Sequence, residues 1–236
     1  MATFLQLCQD VSRESGTIPG VAPSTTVGNT DRLAKIVSWT SQAYTRIQTA
    51  RNDWRWLNRE GELTLLANTR RTTKASLAED GVPASRFATW LYDPEQGEGS
   101  WSAYETSQGV ANERPLRFEH WHFFYRYRLR GPEDTNPPVR FSIDNQDRVV
   151  VDPVPTTEWT MRCRFKAGPQ TLAADDDVPE MPEQFHQMIV WRALMFLANF
   201  DEATTQLPEW KGNYEALYGK IVQQQTPPVY LGEPMA

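Results

Sequence analysis

Cysteine, histidine and positive charge are all scarce in this chain, and each scarcity removes a class of function. The two cysteines, Cys8 and Cys163, lie far apart in sequence and cannot build a zinc site by themselves. Both sit in apolar-patterned segments, where a thiol reads as a small, reduced core residue. No run of about 18 apolar residues occurs, so no membrane span is expected. The start, Met-Ala-Thr-Phe-Leu-Gln-Leu-Cys, lacks the basic residues and apolar core of a signal peptide. A net charge of −6 argues against a duplex-DNA binder driven by phosphate neutralisation. It leaves room for a protein that nucleic acid passes without sticking. There is no glycine-rich phosphate loop, no nucleophile elbow, no internal repeat and no low-complexity tract. At 236 residues the chain is one large domain, or a domain with an insertion, and needs no staples to fold.

Aromatics and prolines are plentiful instead: nine tryptophans and seventeen prolines. Aromatics at that density suit a large core or extensive subunit contacts. The organising stretch runs from Asp175 to Gln225. Its acidic run, Asp175-Asp176-Asp177, reads as a solvated helix start, and Pro182 suits a first helical turn. Phe185, Met188, Ile189, Arg192, Ala193, Phe196 and Leu197 then recur at helical steps. Trp191, Leu194 and Met195 make this helix apolar over most of its circumference, so it is expected to be buried in a bundle or between subunits. Trp210, Tyr214, Leu217 and Ile221 form a second stripe, completing an antiparallel hairpin. Near the N-terminus, Phe4 to Arg13 reads as a short helix ended by Gly16. Thr30 or Asp31 caps a long one that keeps its spacing to about Leu57.

Between these helices the period changes. Glu62–Leu65 and Thr89–Tyr92 read as short strands, Gly97-Glu98-Gly99 as a turn, and Phe141–Val151 as a hairpin. Trp159, Met161, Cys163 and Phe165 alternate with polar residues as a half-buried strand. Arg117–Leu129 fits both the strand and the helix template, and the helix is favoured. The expected architecture is therefore α+β: a helical bundle of about four helices over residues 1–57 and 172–225, interrupted by a β-rich insertion over 58–171. An extended tail, 226–236, follows. Its prolines forbid a helix, and Val229, Tyr230 and Leu231 beside Pro227 and Pro228 make it a candidate docking segment. Trp191 is the second candidate contact with a partner.

No catalytic constellation emerges. His120, His122 and His186 could form a metal trio, but His-x-His needs a strand and no acidic ligand is placed to match. Asp175–Asp177 lacks the spacing and glycine turn of a calcium loop. Arg126, Arg128 and Arg130, interleaved with Tyr125 and Tyr127, could line a nucleic-acid strip; against the acidic total charge, an interface or solvated edge is the favoured alternative. No enzyme activity, cofactor or metal is expected.

Four pieces, in order, carry a resemblance. They are Phe4-Leu5-Gln6-Leu7 with Asp31–Val37; Asn52-Asp53-Trp54-Arg55-Trp56-Leu57; the strand pair from Val139 to Pro153 followed by Trp159–Phe165; and Met181–His186 leading into Ile189–Leu194. In this order they resemble the head-to-tail adaptor (connector) proteins of tailed bacteriophages. The resemblance implies a virion protein at the head–tail junction, assembled in the host cytoplasm. It implies a dodecameric ring docked on the portal protein, extending a channel through which viral DNA passes. Tail or nozzle proteins would attach to it, and the C-terminal segment would reach into a neighbouring component. A stand-alone protein- or carbohydrate-binding module and, at greater remove, a metal-dependent hydrolase stay open beside it.

Overall fold

Thr3 opens the first helix with a reciprocal cap: its hydroxyl accepts from the Gln6 N–H, and the Gln6 side chain accepts from the Thr3 N–H. Gly16, at φ 60°, closes that helix in the left-handed conformation. The computed structural model describes residues 1–16, 22–92, 98–130, 135, 137–202 and 205–225. In chain order its elements are α1 (Phe4–Ser15), α2 (Asp31–Thr49), β1 (Asn58–Leu65), β2 (Arg71–Thr72) and β3 (Leu77–Glu79). Next come β4 (Val82–Pro83), β5 (Phe87–Leu91), β6 (Glu98–Glu105), β7 (Arg114–Phe118) and α3 (Trp121–Tyr127). The last are β8 (Arg140–Ile143), β9 (Val149–Asp152), β10 (Trp159–Ala167), α4 (Gln187–Asp201) and α5 (Leu207–Gln225). The chain divides into two compact units, Met1–Leu57 with Pro169–Ala236, and Asn58–Gly168.

The first unit is helical and is built around α4, which packs on α1, α2 and α5. Met188, Ile189, Val190, Ala193, Leu194, Leu197 and Ala198 of α4 are buried, while Trp191, Met195 and Phe196 pack half-buried at the margin. Phe4, Leu7, Cys8 and Val11 of α1 meet Ile36, Ala43, Tyr44 and Ile47 of α2 in the same core. The stretch between Pro169 and α4 has little regular structure, so side chains satisfy its backbone. Gln48, 1% exposed, donates to the Gln170 carbonyl at 2.9 Å and accepts from the Gln170 N–H at 2.8 Å. The Tyr44 hydroxyl donates to Gln170 Oε1 at 2.9 Å and accepts from the Glu180 N–H at 2.9 Å. Ser41 donates to the Leu172 carbonyl.

Two local expectations are corrected here. The second helix ends at Thr49, not near Leu57. The Arg51–Asp53 ion pair lies just beyond it, and the Trp54 indole donates back to the Ile47 carbonyl at 3.0 Å. Trp54 thus reaches the core by a turn of the chain, which mimics continued helical spacing. The acidic run is also not a solvated helix start. Asp175 accepts from the Thr26 N–H and from the Thr25 and Thr26 hydroxyls, and Asp177 accepts from the N–H groups of Ala173 and Ala174. The Thr26 hydroxyl and N–H hold the Asp175 carboxyl below its usual range.

The second unit is a sheet in the order β2-β9-β8-β7-β6-β10-β1-β3-β4, with β5 as a tenth strand pairing β10 off that path. All strand pairs are antiparallel except β7 with β8. β1 and β10 pair from Asn58↔Lys166 to Leu65↔Trp159. Trp159, Met161, Cys163 and Phe165 of β10 are buried, with Arg162 and Arg164 on the other face. Trp101 stacks on Phe141 at 4.5 Å and meets Trp90 edge-on at 5.3 Å, forming an aromatic centre. Gly61 sits where β3 comes close: a Cβ there would lie 2.7 Å from the Ala78 carbonyl oxygen. Glu98 and Gly99, expected in a turn, instead open β6; Gly97 lies outside the described residues.

The bundle of about four helices carrying a β insertion is therefore overturned. The described residues form five α-helices and one large sheet, curled into a half-barrel, in a mixed α+β architecture in which strands outnumber α-helices ten to five. The physical reason is that β2, β3 and β4 have only two or three residues each. Strands that short carry no readable alternation, and only long-range pairing unites them. Replacing Gln48 by Leu should leave the Gln170 N–H and carbonyl unpaired, at a cost of about 1–3 kcal/mol each. Denaturant unfolding measures it, with Thr49→Ala, at an exposed site, staying within about 0.5 kcal/mol of the parent.

Candidate interaction surfaces

Trp191, expected to meet a partner, lies half-buried on α4 beside Met195 and Phe196 at the edge of the helical core. Its neighbours form a cation–aromatic seam. The Phe196 ring lies under the guanidinium groups of Arg46, at 4.8 Å, and Arg192, at 5.4 Å. Arg192 also lies 5.5 Å from the Tyr214 ring, which stacks on Tyr218. Burial pushes the Tyr214 hydroxyl pKa up. At the end of α4, exposed Phe200 carries the Lys35 ammonium 3.5 Å above its ring. The other expected contacts, Pro227, Pro228, Val229, Tyr230 and Leu231, lie outside the described residues.

The sheet unit presents a second aromatic surface. The ambiguous segment resolves into strand β7, ending at Phe118, followed by helix α3. The helix favoured over Arg117–Leu129 is confined to Trp121–Tyr127, and this seven-residue helix turns Phe124 inward. Phe123, Tyr125 and Tyr127 are left 54%, 48% and 60% exposed. Phe123 and Tyr127 stack at 6.5 Å, and Tyr125 lies 5.7 Å from Trp121. The Arg126 guanidinium sits over Tyr127 at 5.5 Å and that of Arg130 over Tyr125 at 5.2 Å. The helix is fastened at its end. Arg70 donates to the Arg128 carbonyl, a cation at a helix C-terminus, and Arg128 pairs with Glu119. The outward turn of Phe123 is the feature that sequence reasoning missed. No sequence signal was available for it, because periodicity alone fits both a strand and a helix here.

The remaining candidates are dispersed. His120 and His122 lie in the sheet unit, His120 against Phe118 and His122 against Phe123, whereas His186 belongs to the helical unit. Among the described residues, no group of three or more His, Cys, Asp or Glu side chains is arranged to hold a metal ion. Cys8 and Cys163 are free and buried, and burial pushes both thiols up to about 12. A shallow cavity of about 660 Å³ is lined by Glu60, Glu62, Asp80, Ser102, Arg162 and Arg164. Its Arg162 is already bridged by Glu62 at 3.3 Å and Glu113 at 2.9 Å. No described helix is long and apolar enough to cross a membrane.

The chain has two hydrophobic cores and leaves aromatic side chains exposed on α3 and at Phe200. Residues 2–232 match the family model described as SU10 adaptor protein, and the chain belongs to that family. Membership makes it a bacteriophage adaptor-type structural protein, a virion component that interacts with other virion proteins. Comparison with curated proteins gives no match.

His186 offers a pH test of the helical core. It is 4% exposed, and its Nε2 lies 3.0 Å from the Met181 carbonyl. Burial pushes its pKa below the ordinary 6.5. The unfolded chain therefore takes up this proton first. The stability His186 contributes is present above about pH 6.5 and is lost as pH falls towards the folded value. Wild type should lose up to about 1.4 kcal/mol per pH unit in that window relative to His186→Gln. Unfolding curves at pH 7.5, 6 and 5 check this; a constant gap would mean that the imidazole is not held neutral.

Proposed function

We propose that the chain is a head-to-tail adaptor that assembles into a dodecameric ring on the portal protein and extends the DNA channel towards tail or nozzle proteins. The observation that carries this is the family match across nearly the whole chain. Other features support it. The net charge of −6 suits a conduit that repels phosphates and lets DNA slide. The apolar circumference of α4 leaves Trp191 only half-covered by its own unit, which suits a protomer contact. No catalytic role is assigned, and position at the head–tail junction follows from the same reading.

Electron micrographs of the purified protein, alone and with a portal, test the ring: closed rings seated on the portal are expected, and a persistent monomer in both samples overturns the reading. Trp191→Glu should abolish ring formation while the monomer keeps its circular dichroism and sedimentation. Normal rings from Trp191→Glu would remove Trp191 from the interface.

The tail is proposed to dock on a neighbouring component. Its prolines lower the entropy of the free segment, so less order is lost on binding. In an extended path Val229 and Leu231 share one face and Tyr230 takes the other, the geometry of a strand added to a partner sheet. Deleting everything after Gln225 should abolish portal attachment and leave the fold intact. Unchanged attachment, with the tail cut by protease in the full complex, refutes docking.

A further inference from the structure

We propose that α3 is a contact between copies of this chain, its aromatic ridge seating on an acidic surface of a second copy. This rests on the ring-forming reading above and adds a surface on the sheet unit that the reading does not supply.

Phe123, Tyr125 and Tyr127 together present far more exposed aromatic area than a short solvated helix requires. They flank His122 and Arg126, which are also exposed, so the outward face sets polar side chains between rings. Aromatic and arginine side chains are the types enriched where protein surfaces meet. The position is rigid: Phe124 is fully buried, α3 packs on β8, and Arg70 and Glu119 hold its C-terminal end. A fixed ridge loses little side-chain entropy when it is covered.

Charge selects the occupant. Residues 119–130 carry three arginines against one glutamate, a net +2; the rest of the chain carries 21 basic and 29 acidic residues, a net −8. Arg128 is bridged by Glu119, but Arg126 and Arg130 have no carboxylate within ion-pairing distance among the described residues and lie over tyrosine rings. A cationic ridge on an acidic chain is complementary to the surface of its own copies. Nucleic acid is the poorer fit. Two unbridged arginines neutralise few phosphates, and the surrounding negative charge opposes approach. Two of the rings are also already stacked on each other, which leaves fewer faces for bases.

The test compares the full-length wild type with Phe123→Ser/Tyr127→Ser and with Arg126→Glu/Arg130→Glu by analytical ultracentrifugation. All four positions are exposed, so both variants should keep the wild-type melting temperature. Assembly should weaken at least tenfold in each variant, and wild-type assembly should weaken as salt rises from 50 to 500 mM. A photo-crosslinking residue at position 123 should capture a second copy, at an acidic peptide located by mass spectrometry. Wild-type rings matched by equally stable rings from both variants overturn this proposal and leave the ring reading intact. A wild type that never associates overturns both. A crosslink that goes to a labelled DNA duplex, with no copy-to-copy product, replaces the contact with a nucleic-acid surface.

Discussion

Buried backbone that belongs to no helix or strand has to find its hydrogen bonds in side chains, and the helical unit depends on that requirement being met at Gln170. The segment after Pro169 lies across α2, and Gln48 answers both polar groups of one residue, as a neighbouring strand would. Tyr44 then ties Gln170 to Glu180, and Ser41 holds Leu172. These bonds join pieces of chain separated by the whole sheet unit. Joining them costs less than the sequence distance implies, because Asn58 and Lys166 are partners in the β1–β10 pair. The sheet unit leaves and returns at adjacent points, so its own folding closes the long loop on which the helical core depends.

The surface divides its work by chemistry. Some carboxylates and guanidinium groups neutralise one another at the surface, as at Arg162 with Glu62 and Glu113. Exposed pairs of that kind contribute little to stability. Aromatic side chains remain uncovered in two places: the half-buried seam around Trp191 and Phe196, and the ridge of α3. Covering such surfaces excludes water from apolar rings, a contribution that salt does not screen, beside the screened charge of the α3 arginines.

Much of this was legible in the sequence where one element carried its own period. β10 alternates because one face is buried and the other is not, and α4 repeats at helical steps because it is surrounded. The rest was hidden for identifiable reasons. Trp54 joined the core through a turn whose spacing copies a helix. Asp175 and Asp177 carry the signature of a helix start, yet their partners, Thr26 and the Ala173–Ala174 backbone, are fixed by tertiary structure. β2 pairs with β9, far along the chain, and two residues announce no such partner. Of the candidate contacts, Trp191 could be named from the apolar excess of its helix. The outward turn of Phe123 could not, because periodicity alone did not say whether its segment was helix or strand.

The two thiols have a consequence for durability. Cys8 and Cys163 are each buried in a core, with their ionisation pushed up to about 12, and each stands free. A virion component experiences a reducing cell interior and then an oxygenated medium outside it. A chain with no crosslink to break in the first and almost no thiolate to oxidise in the second keeps one covalent form through both. The virion component therefore needs no thiol chemistry to mature on release from its host.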